Sequence, residues 1–221
     1  MFEGFSPEAI DFLWGIRFNN NKAWFEENKQ TYLDKLYHPM KALADEVFEP
    51  FADTPGMICK VSRIYRDARL PNYALSPYKE TLWFCIRHEC VSWAQHPALF
   101  FEISPDGCTY GFGLIQPKAA AMTAFREQLA DNPKPFLKLV QKIEKNTDIT
   151  VGGAAYYRKK VCPAPELERL YQLKNIEAWK QVPAGDEMFS PALAEQVRRT
   201  LTALLPLYQY LLPIAEQSEL L

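Results

Sequence analysis

The hydrophobic pattern of this chain changes period twice, and these two changes restrict its architecture more than any single motif. Up to Gly56 apolar residues recur every three or four positions; between Met57 and Ile115 they alternate; after Pro117 the longer spacing returns. A stripe of period 3.6 buries one side of a helix, whereas period two buries one face of a strand. The expected fold is α+β, a central antiparallel sheet flanked by N-terminal, middle and C-terminal helices. The 221 residues contain no internal repeat or obvious linker, so they read as a single domain: a helical part over 1–53, the sheet over 57–117, and helices with room for additional strands over 118–221.

Local signals place the elements. Ser6-Pro7-Glu8 is a helix start with proline at the first helical position, and Ile10, Leu13 and Trp14 carry its stripe as far as Asn19-Asn20-Asn21. Trp24, Phe25, Asn28, Tyr32 and Leu36 mark a second helix that must kink or restart at Pro39, after which Met40, Leu43, Val47 and Phe51 continue the stripe. Strands are predicted over 57–66, 81–89, 98–104 and 108–115, the last two joined by the turn Pro105-Asp106-Gly107. Helices follow over 119–129 and 133–143, then strands over 155–161 and 176–182 with a short helix over 165–173 between them. Ser190-Pro191 opens the last helix, which Pro206 bends and Pro213 ends.

The most unusual chemistry lies at the end of the first predicted strand. Lys60, Arg63, Arg66, Arg69 and Lys79 stand against one acid, Asp67, in a protein of formal charge -2. Arginine offers a planar fork of donors and lysine a point charge, the equipment for holding phosphate or carboxylate. Arg63, Arg66, Arg69, Tyr78 and Lys79 are therefore the candidate ligand-binding residues, with Arg158 of Tyr157-Arg158-Lys159-Lys160 as a contributor. Strand alternation sends Arg63 and Arg66 to opposite faces, and Arg63 shares its face with Met57, Cys59 and Val61, so Arg63 is expected to point inward. A competing reading is structural: Asp67 pairs with a flanking arginine and the cluster only holds the fold of a non-enzymatic interaction domain.

Other functional classes are disfavoured. A net charge of -2 does not suit a nucleic-acid-binding face. Cys59, Cys85, Cys90, Cys108 and Cys162 are scattered without a C-x-x-C pair, and His38, His88 and His96 lack ligand spacing, so neither a metal nor any other cofactor is expected. Gly111-Phe112-Gly113 lacks the third glycine of a dinucleotide loop and reads as close backbone packing. Acids occupy the start MFEGFSPEAIDFLWGIRF, and no apolar run reaches the roughly 20 residues of a membrane span, so a cytoplasmic location is expected.

Three groups of residues carry a family resemblance: Asn19-Asn20 with Lys22, Trp24-Phe25, Lys29 and Tyr32; Arg63-Ile64-Tyr65-Arg66-Asp67-Ala68-Arg69 with Pro77-Tyr78-Lys79; and Gly111-Phe112-Gly113 with Pro117, Arg126, Tyr157-Arg158-Lys159, Leu173 and Lys174. In these the chain resembles the bacterial and fungal family DUF2461, a domain of unknown function. The resemblance implies a shared fold and a recurring polar constellation, with no activity or catalytic residue to transfer. The chain departs from the pattern at Leu70 and Ala74-Leu75, where members carry phenylalanine and an Asp-Lys pair. One cation of the expected cluster is therefore missing.

Overall fold

A computed structural model describes residues 1–69, 74–90 and 92–218. Helix α1 (Pro7–Phe18) is followed by α2 (Lys22–Thr31), which runs through a π-helical stretch at Tyr32–Tyr37 into α3 (His38–Phe48). Strands β1 (Met57–Val61), β2 (Leu82–His88), β3 (Ala98–Ser104) and β4 (Gly107–Leu114) come next. Helices α4 (Ala119–Asp131), α5 (Pro133–Thr147) and the single turn α6 (Glu168–Tyr171) precede β5 (Ile176–Pro183) and the long α7 (Ala192–Gln217). The strands form one antiparallel sheet in the order β1-β2-β3-β4-β5. The fold is α+β, as the two changes of period require.

The chain divides into two compact units: residues 1–86, 100–110 and 181–199, and residues 87–99, 111–180 and 200–221. In the first, α3 packs on β1, and Phe101 stacks on Phe5 and Phe84 with ring centroids 6.0 and 5.6 Å apart. In the second, Phe136 lies 5.0 Å from Phe125 and 4.9 Å from Tyr210. Two glycines allow neighbouring strands to approach. A Cβ on Gly107 would come within 2.2 Å of the Val182 carbonyl, and one on Gly111 within 2.2 Å of the Ala178 carbonyl. Close packing is thus what the Gly-Phe-Gly sequence provides.

Five expectations need correction. The first strand stops at Val61 because the Trp83 N–H donates to Ser62 Oγ at 3.1 Å, while the Ser62 N–H still donates to the Trp83 carbonyl at 2.7 Å. A side-chain hydroxyl replaces the carbonyl that a regular ladder would use, and the burial phase slips there. Ser62 and Ile64 are buried, whereas Arg63 and Tyr65 are exposed. Arg63 consequently does not point inward.

Residues 155–161 form no strand beyond a single bridge from Ala155 to Leu173. Tyr157, Arg158, Lys159 and Lys160 are all exposed, so a strand would have no apolar face to bury there. The helix expected over 165–173 is a 3-10 turn at Pro165–Leu167 continued by α6 alone; its four-residue α-helical part is too short to sustain itself. Finally, α7 passes through Pro213 to Gln217. Leu211, Ile214 and Ala215 remain buried around the proline, and this packing offsets a helix-interior cost of about 3 kcal/mol.

Candidate functional site

In the first unit, both ends of the segment joining β1 to β2 are held in antiparallel register. Tyr65 bridges to Tyr78; the Arg66 N–H donates to the Pro77 carbonyl and the Lys79 N–H to the Ile64 carbonyl, each at 2.8 Å. Beneath the bridge lies Phe25, fully buried, with its ring stacked on Tyr78 at 4.1 Å and edge-on to Tyr65 at 5.6 Å. Asn20, in the turn between α1 and α2, satisfies both main-chain groups of Tyr78: its Oδ1 accepts from the N–H at 3.0 Å and its Nδ2 donates to the carbonyl at 2.9 Å. Asn20 of the Asn-Asn break and Phe25 of the Trp-Phe pair thus share one task, fixing the residue beside Lys79.

The predicted cluster separates into distinct roles. Tyr78 is buried and belongs to the aromatic core. Arg66, half-buried, donates from Nε to the Tyr78 carbonyl at 2.9 Å. Arg69 folds onto Asp67, with Nε 2.9 and 3.1 Å and Nη2 2.5 Å from the carboxylate oxygens. This contact, together with the Arg69 main-chain N–H, holds the Asp67 carboxyl down at about 2. Arg63 is exposed. Arg158 is also exposed and belongs to the second unit. Of the three residues that depart from the family pattern, Leu70 lies outside the described residues, and Ala74 and Leu75 are exposed.

Lys79 is half-buried, with its ammonium 5.5 Å from the centre of the Trp83 ring. Burial lowers its pKa, the Glu102 carboxylate opposes that shift, and the Arg66 charge adds to it. Glu102 responds in the opposite direction: burial raises its pKa, while the Thr81 hydroxyl and Lys79 pull it back. Among the described residues no carboxylate comes within ion-pair distance of Lys79 or Arg66. The site is therefore an under-compensated pair of cations beside an acid whose pKa burial raises.

Sequence reasoning missed Glu102, Trp83 and Asn20. Glu102 had a readable signal, since it is the one charged residue in the otherwise apolar strand Ala98–Ser104. Strand alternation then puts it with Trp83. Phe84 and Phe101 stack on the core face, so their neighbours Trp83 and Glu102 share the opposite face. The position of Asn20 depends on a contact 58 residues away, and no local pattern announces it.

Arg17 bridges Glu80 at 2.8 Å and Asp106 at 3.5 Å. Burial pushes the Cys59 thiol up to about 12, so it behaves as a core thiol. Among the described residues no cluster of three His, Cys, Asp or Glu side chains could hold a metal, and no helix is long and apolar enough to cross a membrane.

The fold is thus an α+β sheet protein whose first unit carries an aromatic clamp and a cationic rim. The model of the conserved hypothetical protein family DUF2461 matches residues 8–210, and the chain belongs to that family. No curated protein matches it.

Proposed function

We propose that the protein binds a small anionic ligand, bearing a phosphate or carboxylate group, at Lys79 and Arg66. The carrying observation is the state of Lys79: half-buried, repelled by Arg66 and given no ion-pair partner among the described residues. An anion supplies the missing charge. Among the described residues the guanidinium of Arg66 is anchored through Nε alone, which leaves Nη1 and Nη2 to donate. Glu102 accepts from a hydroxyl or ammonium on the same ligand. The structural rival accounts for Arg69, whose charge Asp67 takes up, and for Nε of Arg66, but leaves the Lys79 charge without an ion-pair partner among the described residues.

Calorimetric titration with inorganic phosphate and with acetate tests this reading. Lys79→Ala should weaken anion affinity by about tenfold or more, the loss of one charge-assisted hydrogen bond, with no fall in melting temperature. Equal affinity in the variant would remove the case for this site. In the wild type, affinity should also fall as pH rises through the lowered Lys79 value, below the ordinary 10.5.

A further inference from the structure

Arg126 in the second unit occupies an environment unlike that of any arginine in the cluster. It lies on the inner side of α4, only 7% exposed. Its Nη2 makes one long hydrogen bond, 3.3 Å, to Thr123 Oγ1, and its Nη1 is buried with no hydrogen-bond partner. The guanidinium carbon stands 5.4 Å from the centre of the Tyr156 ring, and the Lys160 ammonium stands 4.9 Å from the same ring. Among the described residues neither cation has a carboxylate within ion-pair distance; the nearby Lys159 instead reaches Glu168 at 3.7 Å. Two cations thus share one aromatic ring and no acid.

The segment that carries Tyr156 and Lys160 is built to hold its shape. The Tyr156 N–H donates to the Gln172 carbonyl at 2.9 Å. The buried Gln172 side chain then grips both main-chain groups of Lys160, accepting from its N–H at 2.7 Å and donating to its carbonyl at 2.9 Å. Residues 157–159 are displayed between these anchors, with Tyr157 fully exposed. Such anchoring keeps Lys160 beside the Tyr156 ring without restricting its side chain.

A buried guanidinium with an orphaned donor is costly, and a neutral ring repays only part of that cost. A second cation drawn to the same ring adds positive charge that no acid among the described residues offsets. We propose that Arg126 and Lys160, which both meet the Tyr156 ring, form a second oxyanion site that takes phosphate, either as the free ion or as a phosphate monoester. The chemistry matches the donors: Nη1 supplies a directed N–H and Lys160 a mobile point charge. Entry requires the half-exposed Tyr156 ring to swing aside, after which the orphaned donor finds its acceptor.

The test is made in the Lys79→Ala chain, so that the first site does not contribute, with chloride at matched ionic strength as the control for general screening. Inorganic phosphate and phenyl phosphate are titrated in parallel by calorimetry. Binding should persist in Lys79→Ala and weaken by about tenfold or more on adding either Lys160→Ala or Arg126→Met. Preference for the ester assigns a monoester and preference for the inorganic ion assigns free phosphate; both uphold the site. Lys160→Ala removes an exposed side chain whose main-chain anchors stay in place, so it keeps the test valid should Arg126→Met fail to fold. Absence of phosphate binding in Lys79→Ala, or affinity unchanged by Lys160→Ala, overturns the second site. Wild-type binding that survives Lys79→Ala undiminished but is lost with Lys160→Ala overturns the first site and upholds this one.

Discussion

Arg69 and Arg126 carry the same charge in opposite circumstances. The Arg69 side chain is 90% exposed and is met by an acid two residues away, so its ion pair contributes little to folding and makes little demand on a ligand. Arg126 is buried beneath an aromatic ring and meets no acid among the described residues. Between them stand Arg66 and Lys79, both half-buried, with Glu102 partly compensating Lys79. Density of basic residues in the sequence is therefore a poor guide to a binding site; the useful quantity is charge that burial has separated from water and that no neighbour has paired.

The largest effect expected from disturbing this arrangement comes from Phe25→Ala. Phe25 is fully buried against Tyr78, and loss of the ring should cost about 3–5 kcal/mol in denaturant unfolding. Because the same stack places Lys79, anion binding in the first unit should weaken along with stability. Retention of full affinity in the folded variant would show that the clamp and the site are independent.

Glu102→Gln sharpens the comparison through pH. Burial raises the Glu102 pKa above 4.5, so the folded chain holds this proton more tightly than the unfolded chain. The resulting contribution is complete below the unfolded value and is lost as pH rises through the folded one. Melting temperatures followed from about pH 4 to pH 7 should show the variant gaining on the wild type as pH rises. A gap that does not change with pH would mean that Glu102 titrates as it does in water.

The smallest effect belongs to Asp67→Asn. The Asp67 pKa is depressed, so its contribution is present above 3.8 and is lost as pH falls through about 2. The pair is exposed and screened, however, and near neutral pH the melting curve should superimpose on that of the wild type. A marked loss of stability would return the cluster to the structural reading, with Asp67 as its centre.

What could be read from the sequence was mostly what depends on near neighbours. The strand Ala98–Ser104 and the Pro-Asp-Gly turn that follows it lie where period and turn chemistry place them, because strand alternation and a tight turn are set within a few residues. Asp67 beside Arg69 was legible for the same reason. Arg63 was misread because one hydroxyl, Ser62 Oγ, interrupts the ladder and shifts the phase of burial. The sequence by itself thus determined the α+β class, the positions of most elements and the presence of excess cationic charge. Tertiary structure alone decided that Asn20 and Phe25 fix Tyr78, that Glu102 faces Lys79, and that Arg126 lies buried under Tyr156. The physical reason is that desolvation and charge pairing depend on distance in space, and each of these contacts joins residues at least 23 positions apart.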